Sequence, residues 1–382
     1  MVLLLICLTN ILQLPLTSLN EISTEYITNN IENYPYFEIS RISGALNIRF
    51  FQDDPSIFKY FNIDLTTNFN WASTHYYSLS KSKTAIILSN NNETFNQDNQ
   101  IPIHIADTFY HGNLAITPFN FILYNGVFED YDTMTLCYKP LYHNHSLVNV
   151  FYDNGRIQRR TFAIVMTVEP EGLMFFGGMP SYIVSKYKYN HTCNITKHIW
   201  GCALTKVKVG NDMYVNNDYS YFQTSDKRIL VPKKFMAFLK EKYFDNYIKN
   251  NTCVFRGVMK YNYYFCLYNY TEYFPSISFY FDNVEILMNK DDLYFVVNTS
   301  QGDVYKHYLI EENVDDSNTW VFANAFFKRR PMLFDYDKST VTIYYNESSV
   351  NDNSNNNTLQ HINYINIIIL SVGILNLCLN ML

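Results

Sequence analysis

Between Tyr36 and Tyr345 one local pattern recurs: a short run of aromatic and β-branched residues, alternating or wholly apolar, closed by a polar turn. IFKYFNID, TAIILS, NFILYN, FAIVMTV, GLMFFGG, SISFYF, LYFVV and VTIYY are the clearest of these runs. Successive side chains of a strand point to opposite faces, so such runs bury an apolar face only by pairing and stacking. The spacing predicts a mostly antiparallel β protein. Only two stretches carry helical periodicity. One is Val231–Phe244, with Phe235, Phe238 and Leu239 on one face and Lys233, Lys234 and Lys240 around it; the other is the shorter Ser146–Arg156. No linker rich in Pro, Gly or Ser interrupts this body, so residues 36–345 are expected to form two closely packed lobes.

Composition agrees and narrows the function classes. The 34 tyrosines and 29 phenylalanines favour strands, and 48% hydrophobic residues suffice for a large core. Against 35 acidic side chains stand 29 basic ones, and the resulting formal charge of −6 gives no footprint for nucleic acid. Glycine is scarce, with 12 residues where about 7% of the chain is ordinary.

Both ends read as targeting segments. Residues 1–18 carry LLLICL and ILQLPL before the polar STEYITNN, the form of a secretory signal peptide, although no Lys or Arg precedes the apolar stretch. A buried N-terminal strand is the competing reading. Residues 363–382 end in INIIILSVGILNLCLNML, behind the polar, Asn-rich linker 346–362. A tail that stops inside its own apolar run resembles a GPI-attachment signal, with the cleavage site near Ser348–Ser349 or Asn353–Ser354. A single-pass anchor is the alternative, opposed by the lack of Lys or Arg after the run. The expected location is the cell surface or extracellular space, with membrane attachment through the tail. Nine N-x-S/T motifs accord with export and are candidate glycosylation sites: Asn92, Asn144, Asn190, Asn194, Asn250, Asn269, Asn298, Asn346 and Asn356.

Of seven cysteines, Cys7 and Cys378 fall in the terminal segments. Cys193 with Cys202, and Cys253 with Cys266, each flank a short segment, so two local disulfides are the economical pairing in an oxidising compartment. Cys137 is left as a buried free thiol. No C-x₂-C or H-x₃-H spacing accompanies the cysteines, and neither a metal nor a cofactor is expected.

Three segments resemble the pepsin-like aspartic peptidases, family A1. FAIVMTVEPEGLMFFGG, from Phe162, is similar to the hairpin that ends the family's first lobe. FPSISFYFDNVEILMNKDDLYF, from Phe274 to Phe295, resembles the second-lobe stretch beginning LPxIxFxxxG. WVFANAFFKRRPMLFDYDKSTVTIYY, from Trp320 to Tyr345, is similar to the closing segment WILGDxFxRxxYxxFD. With DPSIFKYFNIDLTTNFNW at its start, the resemblance covers roughly 36 to 345. It implies a bilobal double β-barrel fold with a few short helices, the first lobe at 36–180 and the second at 181–345.

The catalytic pattern departs from the family. Its members work through two aspartates, one per lobe, each in an Asp-Thr/Ser-Gly turn, that share one proton because like charges about 3 Å apart cannot both ionise. FDTGSSNLW corresponds to Ile63 through Trp71, which keeps Asp64 but replaces Thr-Gly by Leu65-Thr66. Counting back nine residues from Pro232 places Gln223-Thr224-Ser225 at the second turn, and a glutamine amide cannot shuttle protons. The flap motif aligns with Ile105-Ala106-Asp107-Thr108, so the flap tyrosine is replaced by Ile105. The apolar-apolar-Gly loops read Met134-Thr135-Leu136 and Val321-Phe322-Ala323, with Asn324 where Asp usually follows. These losses account for much of the glycine shortage, while Gly177 and Gly178 remain. The basic pro-segment that the family implies has no counterpart, since no Lys or Arg precedes Arg41.

The reading that follows is a secreted, tethered, non-catalytic pepsin-fold protein whose interlobe cleft takes an extended peptide or protein. A weakly active endopeptidase, and a glycosylated coat protein with no open cleft, are the alternatives. Asp226 is a substitute for the lost aspartate only if the register slips by three residues. Trp71 and Trp320 are expected in the core, His75, His104 and His111 lack metal-like spacing, and Lys328-Arg329-Arg330 reads as a solvated strand end.

Overall fold

Every run singled out above becomes a strand that pairs its backbone with a neighbour, and all but Ile86–Ser89 bury a face. Among them are Phe58–Asp64, Ile86–Ser89, Leu114–Tyr124, Thr161–Met166, Glu171–Phe176, Ile277–Phe281, Tyr294–Asn298 and Thr340–Tyr345. The structure, a computed structural model, describes residues 34–346 apart from several segments, the longer being 52–57, 90–102, 125–131, 141–144, 167–170, 268–273, 299–303 and 314–318. The expected signal segment, the tail, and Asn92, Asn144, Asn269 and Asn356 lie outside the described residues.

The described strands form one sheet of 13 and another of 11. Six strands of the larger sheet run side by side: Tyr189–Asn194, Thr340–Tyr345, Met332–Asp335, Thr161–Met166, Glu171–Phe176 and Tyr36–Ile42. Three come from each half of the chain, so they make a floor shared by both lobes. The Phe162 and Phe334 rings stack across its middle at 4.5 Å and 6°.

Above the floor the same four-strand motif occurs twice. In the first lobe Phe58–Asp64 lies parallel to Asp132–Thr135; Trp71–Ser73 pairs antiparallel with the latter and parallel with Leu114–Tyr124. In the second, Asp212–Phe222 lies parallel to Trp320–Phe322; Ile229–Val231 pairs antiparallel with the latter and parallel with Ile310–Asn313. Asp64 closes the first strand of one motif, and Gln223 follows directly on its counterpart in the other.

Helices are few and short. Leu147–Asp153 and Lys233–Leu239 fall where the periodicity placed them, and the second runs on through Lys240–Phe244 to Lys249. Phe235 and Leu239 are buried, as their shared face requires. Trp320 lies in the core as expected.

One expectation is corrected here. Lys328-Arg329-Arg330 is no solvated strand end, because Arg330 is wholly buried. Its guanidinium donates to the Leu287 and Phe326 carbonyls, lies over the Phe326 ring and sits 3.9 Å from the buried Asp292 carboxylate. Arg329 approaches the same carboxylate at 3.3 Å. A buried guanidinium is tolerated only with such partners, and Asp292 is too remote in sequence for a local pattern to announce it.

Trp200 joins the floor to the first lobe. Wholly buried, it packs edge-on against Phe334 at 5.2 Å and Tyr336 at 4.9 Å, and its indole N–H donates to the Leu136 carbonyl at 2.6 Å. Trp200→Ala is expected to cost about 3–5 kcal/mol in denaturant unfolding, and Trp200→Phe, which removes chiefly the hydrogen bond, only about 1–2 kcal/mol. Equal losses for the two variants would show that the N–H, and not ring packing, ties the floor to this loop.

Candidate functional site

The turn after Phe58–Asp64 folds back onto the Asp64 carboxylate. Oδ1 accepts the Thr66 N–H at 2.6 Å, the Thr66 hydroxyl at 2.7 Å and the Thr67 N–H at 3.0 Å, while Oδ2 accepts the Thr67 hydroxyl at 2.8 Å. Short polar side chains close turns in this way. Asp64 is thus the acceptor hub of its own turn.

The second-lobe loop meets this turn at one buried residue. The Thr224 hydroxyl donates to the carbonyl of Ile63, the residue before Asp64, and the Thr224 carbonyl accepts the Leu46 N–H at 2.8 Å. Because Thr224 follows Gln223 as Leu65 follows Asp64, the contact sets the Gln223 turn against the Asp64 turn. Leu65 is wholly buried and has no hydroxyl, so the side-chain bond runs in one direction only. The Gln223 amide donates to the Ser225 hydroxyl. Asn324, also buried, donates its amide to the Thr224 carbonyl at 3.2 Å, and its backbone N–H reaches the Asp226 carbonyl at 3.1 Å.

Asp226 is committed elsewhere. Its carboxylate grips the Arg228 side chain through both oxygens, and Arg228 passes the contact to Glu311 at 3.0 Å, which bonds His307 at 2.7 Å. A carboxylate, an amide and two hydroxyls therefore line the meeting point. Of these groups the amide cannot hold a shared proton.

Sequence reasoning missed the support beneath. Asn70 is wholly buried; its amide donates to the carbonyls of Asn120 at 2.8 Å and His145 at 2.6 Å, and its carbonyl accepts the Thr135 N–H at 2.7 Å. Its own N–H donates to Nδ1 of His145 at 3.1 Å, which makes that ring nitrogen an acceptor. Burial and the neighbouring His104 ring push His145 down to about 4. Burial pushes the Cys137 thiol up to about 11, with the Asp64 charge adding to it. No local signal in the sequence separates Asn70 from the chain's many other asparagines.

Ile105 is not where a flap residue was expected. It lies mid-strand in Ile103–His111, wholly buried, and pairs with Ile87 on one side and Phe121 on the other. Asp107 explains this, since its buried carboxylate accepts the Tyr77 hydroxyl at 2.7 Å, the Ser82 hydroxyl at 2.9 Å and the Thr84 hydroxyl at 2.5 Å. Those bonds pin the segment to the lobe.

Both expected disulfides, Cys193–Cys202 and Cys253–Cys266, are formed, and Cys137 is a buried free thiol. His191, Cys193 and Asp282 cluster, but the Cys193 sulfur is in a disulfide, which leaves an imidazole and a carboxylate 3.4 Å apart. Asn190, Asn194 and Asn250 are exposed. The Asn346 amide instead bridges the backbones of Lys186 and Lys188. No described helix is long and apolar enough to cross a membrane.

The model of the eukaryotic aspartyl protease family matches residues 112–344, more than half of the chain, and the protein belongs to that family. Its structure is similar to that of the aspartic proteinase from Irpex lacteus, with a TM-score of 0.63 and 13% identity, over 84% of this chain and 100% of that one. No curated protein matches the chain.

A pH dependence follows from His145. Its folded value lies below the ordinary 6.5 or so, so the unfolded chain binds more protons in between, and stability rises with pH there. The contribution is complete above about 6.5 and is lost as pH falls towards 4, amounting to about 3 kcal/mol at most. Urea midpoints measured across this window should fall steeply for the native protein and less steeply for His145→Gln. Parallel curves would refute the assignment.

Proposed function

We propose that this is an exported, membrane-tethered member of the aspartyl protease family that has lost catalysis and retains peptide binding between its lobes. The observation that carries the reading is the contact from Thr224 to Ile63, which sets Gln223 against the turn of Asp64. Peptide hydrolysis in this family needs one carboxyl as acid and another as base, whereas here the partner is an amide and the remaining carboxylate is occupied by four donors from its own turn. An extended peptide can still pair its backbone with the loop edges at such a cleft, as an added strand does. The paired cysteines support passage through an oxidising compartment. The apolar tail is the proposed tether.

The test incubates the purified protein with a peptide library at pH 7 and at pH 4, reading cleavage by mass spectrometry and binding by fluorescence anisotropy. Binding without cleavage is the expected result. Loss of one acid–base partner typically lowers a rate by about 10²–10⁴. Residual cleavage that disappears in Asp64→Asn would therefore establish a weak peptidase and sink the proposal. Gln223→Asp tests the same point from the other side, since on this reading one substitution leaves Asp64 still held by Thr66 and Thr67 and restores little activity.

A further inference from the structure

Five described strands lie at sheet margins, each pairing with a single neighbour. They are Ile86–Ser89 and Tyr189–Asn194 on the larger sheet, and Cys253–Val258, Val284–Met288 and Tyr294–Asn298 on the other. An unpaired strand edge offers a row of N–H and C=O groups to any second chain, and an exposed apolar edge invites association. Three of the five expose large apolar side chains. Ile86, Ile87 and Leu88 are 52–63% exposed on the first, Val254 and Phe255 about 40% on the second, and Val296 52% on the third. Charged residues and proline are the usual protection of such edges. Across these three strands and Tyr189–Asn194 there is one charged residue, Arg256, and no proline.

What accompanies the margins instead is the N-x-S/T motif. Asn190 and Asn194 both lie on Tyr189–Asn194, exposed and four residues apart, hence on one face. Asn298 ends Tyr294–Asn298, and the exposed Asn250 stands three residues before Cys253. Ile86–Ser89 is followed in sequence by the Asn92 motif, outside the described residues. The fifth margin, Val284–Met288, has no motif beside it, and it needs none: it exposes no large apolar side chain and carries Glu285.

We propose that N-linked oligosaccharides at Asn190, Asn194, Asn250 and Asn298 cap the sheet margins and keep the protein from associating edge to edge. In forming each link, the anomeric carbon of an oligosaccharide carried on a lipid pyrophosphate bonds to the asparagine Nδ2. The carbon–oxygen bond to the pyrophosphate breaks, the lipid pyrophosphate leaves, and the amide gives up one proton. At about 3.3 Å per residue the two links on Tyr189–Asn194 stand about 13 Å apart, so two solvated glycans span most of that strand. This inference rests on the export part of the proposed function, though not on the loss of catalysis.

The experiment expresses the full chain in a eukaryotic secretory host, maps the glycans by peptide mass spectrometry and reads oligomeric state by size exclusion with light scattering. A monomer modified at all four asparagines is expected. Trimming the folded protein to single sugars with an endoglycosidase should shift it to dimers and larger species, as should N190Q/N194Q. N190K/N194K, which lacks the same glycans but charges the edge, should stay monomeric. Unmodified asparagines in protein recovered from the host's surface membranes overturn the proposal, and so does a trimmed protein that remains monomeric. A chain carrying an added secretion leader separates the two readings: modification only with that leader places the failure in the protein's own export, whereas no modification even then places it here.

Discussion

The two lobes meet at the top through one buried residue, Thr224, whose hydroxyl donates to the Ile63 carbonyl. Below it the six-strand floor ties the halves through backbone pairing. The Thr224 carbonyl accepts from both Leu46 and Asn324, so a single residue collects a strand of the first lobe, the turn before Asp64 and the closing loop of the second. Buried polar groups are tolerated when every one finds a partner, and a network of this kind favours one arrangement over its neighbours.

Around that point, apolar side chains occupy positions where the family's pattern has small residues. Leu65, Leu136 and Ala323 are all wholly buried. The Leu136 carbonyl also receives Trp200 from the side of the floor, so the first-lobe loop is packed as core. Glycine persists where geometry demands it. Gly177 has φ +89°, and an added Cβ there would also crowd Ile157 at 3.1 Å. Part of the glycine scarcity thus falls at the centre, while glycine remains at this turn of the frame.

Strand content was legible because period-two patterning is a local property, and the runs around Phe162, Ile277 and Val341 announced themselves. Both disulfides were legible for the same reason, each closing a short segment. The helix at Lys233–Leu239 showed its buried face at helical spacing. Three things were not legible, and each depends on a distant partner. Arg330 is buried because Asp292 and two carbonyls meet it. Ile105 is core because Asp107 is caught by Tyr77, Ser82 and Thr84, which alignment to a flap motif cannot register. Asn70 and His145 lie 75 residues apart and look ordinary until the fold sets one against the other.

His145 also bears on the conditions under which the site can work. Two carboxyls that share a proton suit an acidic medium, because one of them must stay protonated. A scaffold for that chemistry gains nothing from a buried imidazole that must remain neutral beside the active turn. Here such an imidazole accepts the Asn70 N–H, and protonating Nδ1 would set two donors face to face. On the proposed reading, an amide in place of one of two facing carboxylates also removes like-charge repulsion at neutral pH. On the proposed reading the changes at Gln223 and the burial of His145 point in one direction, towards a cleft that is most stable near neutral pH and is used there for binding.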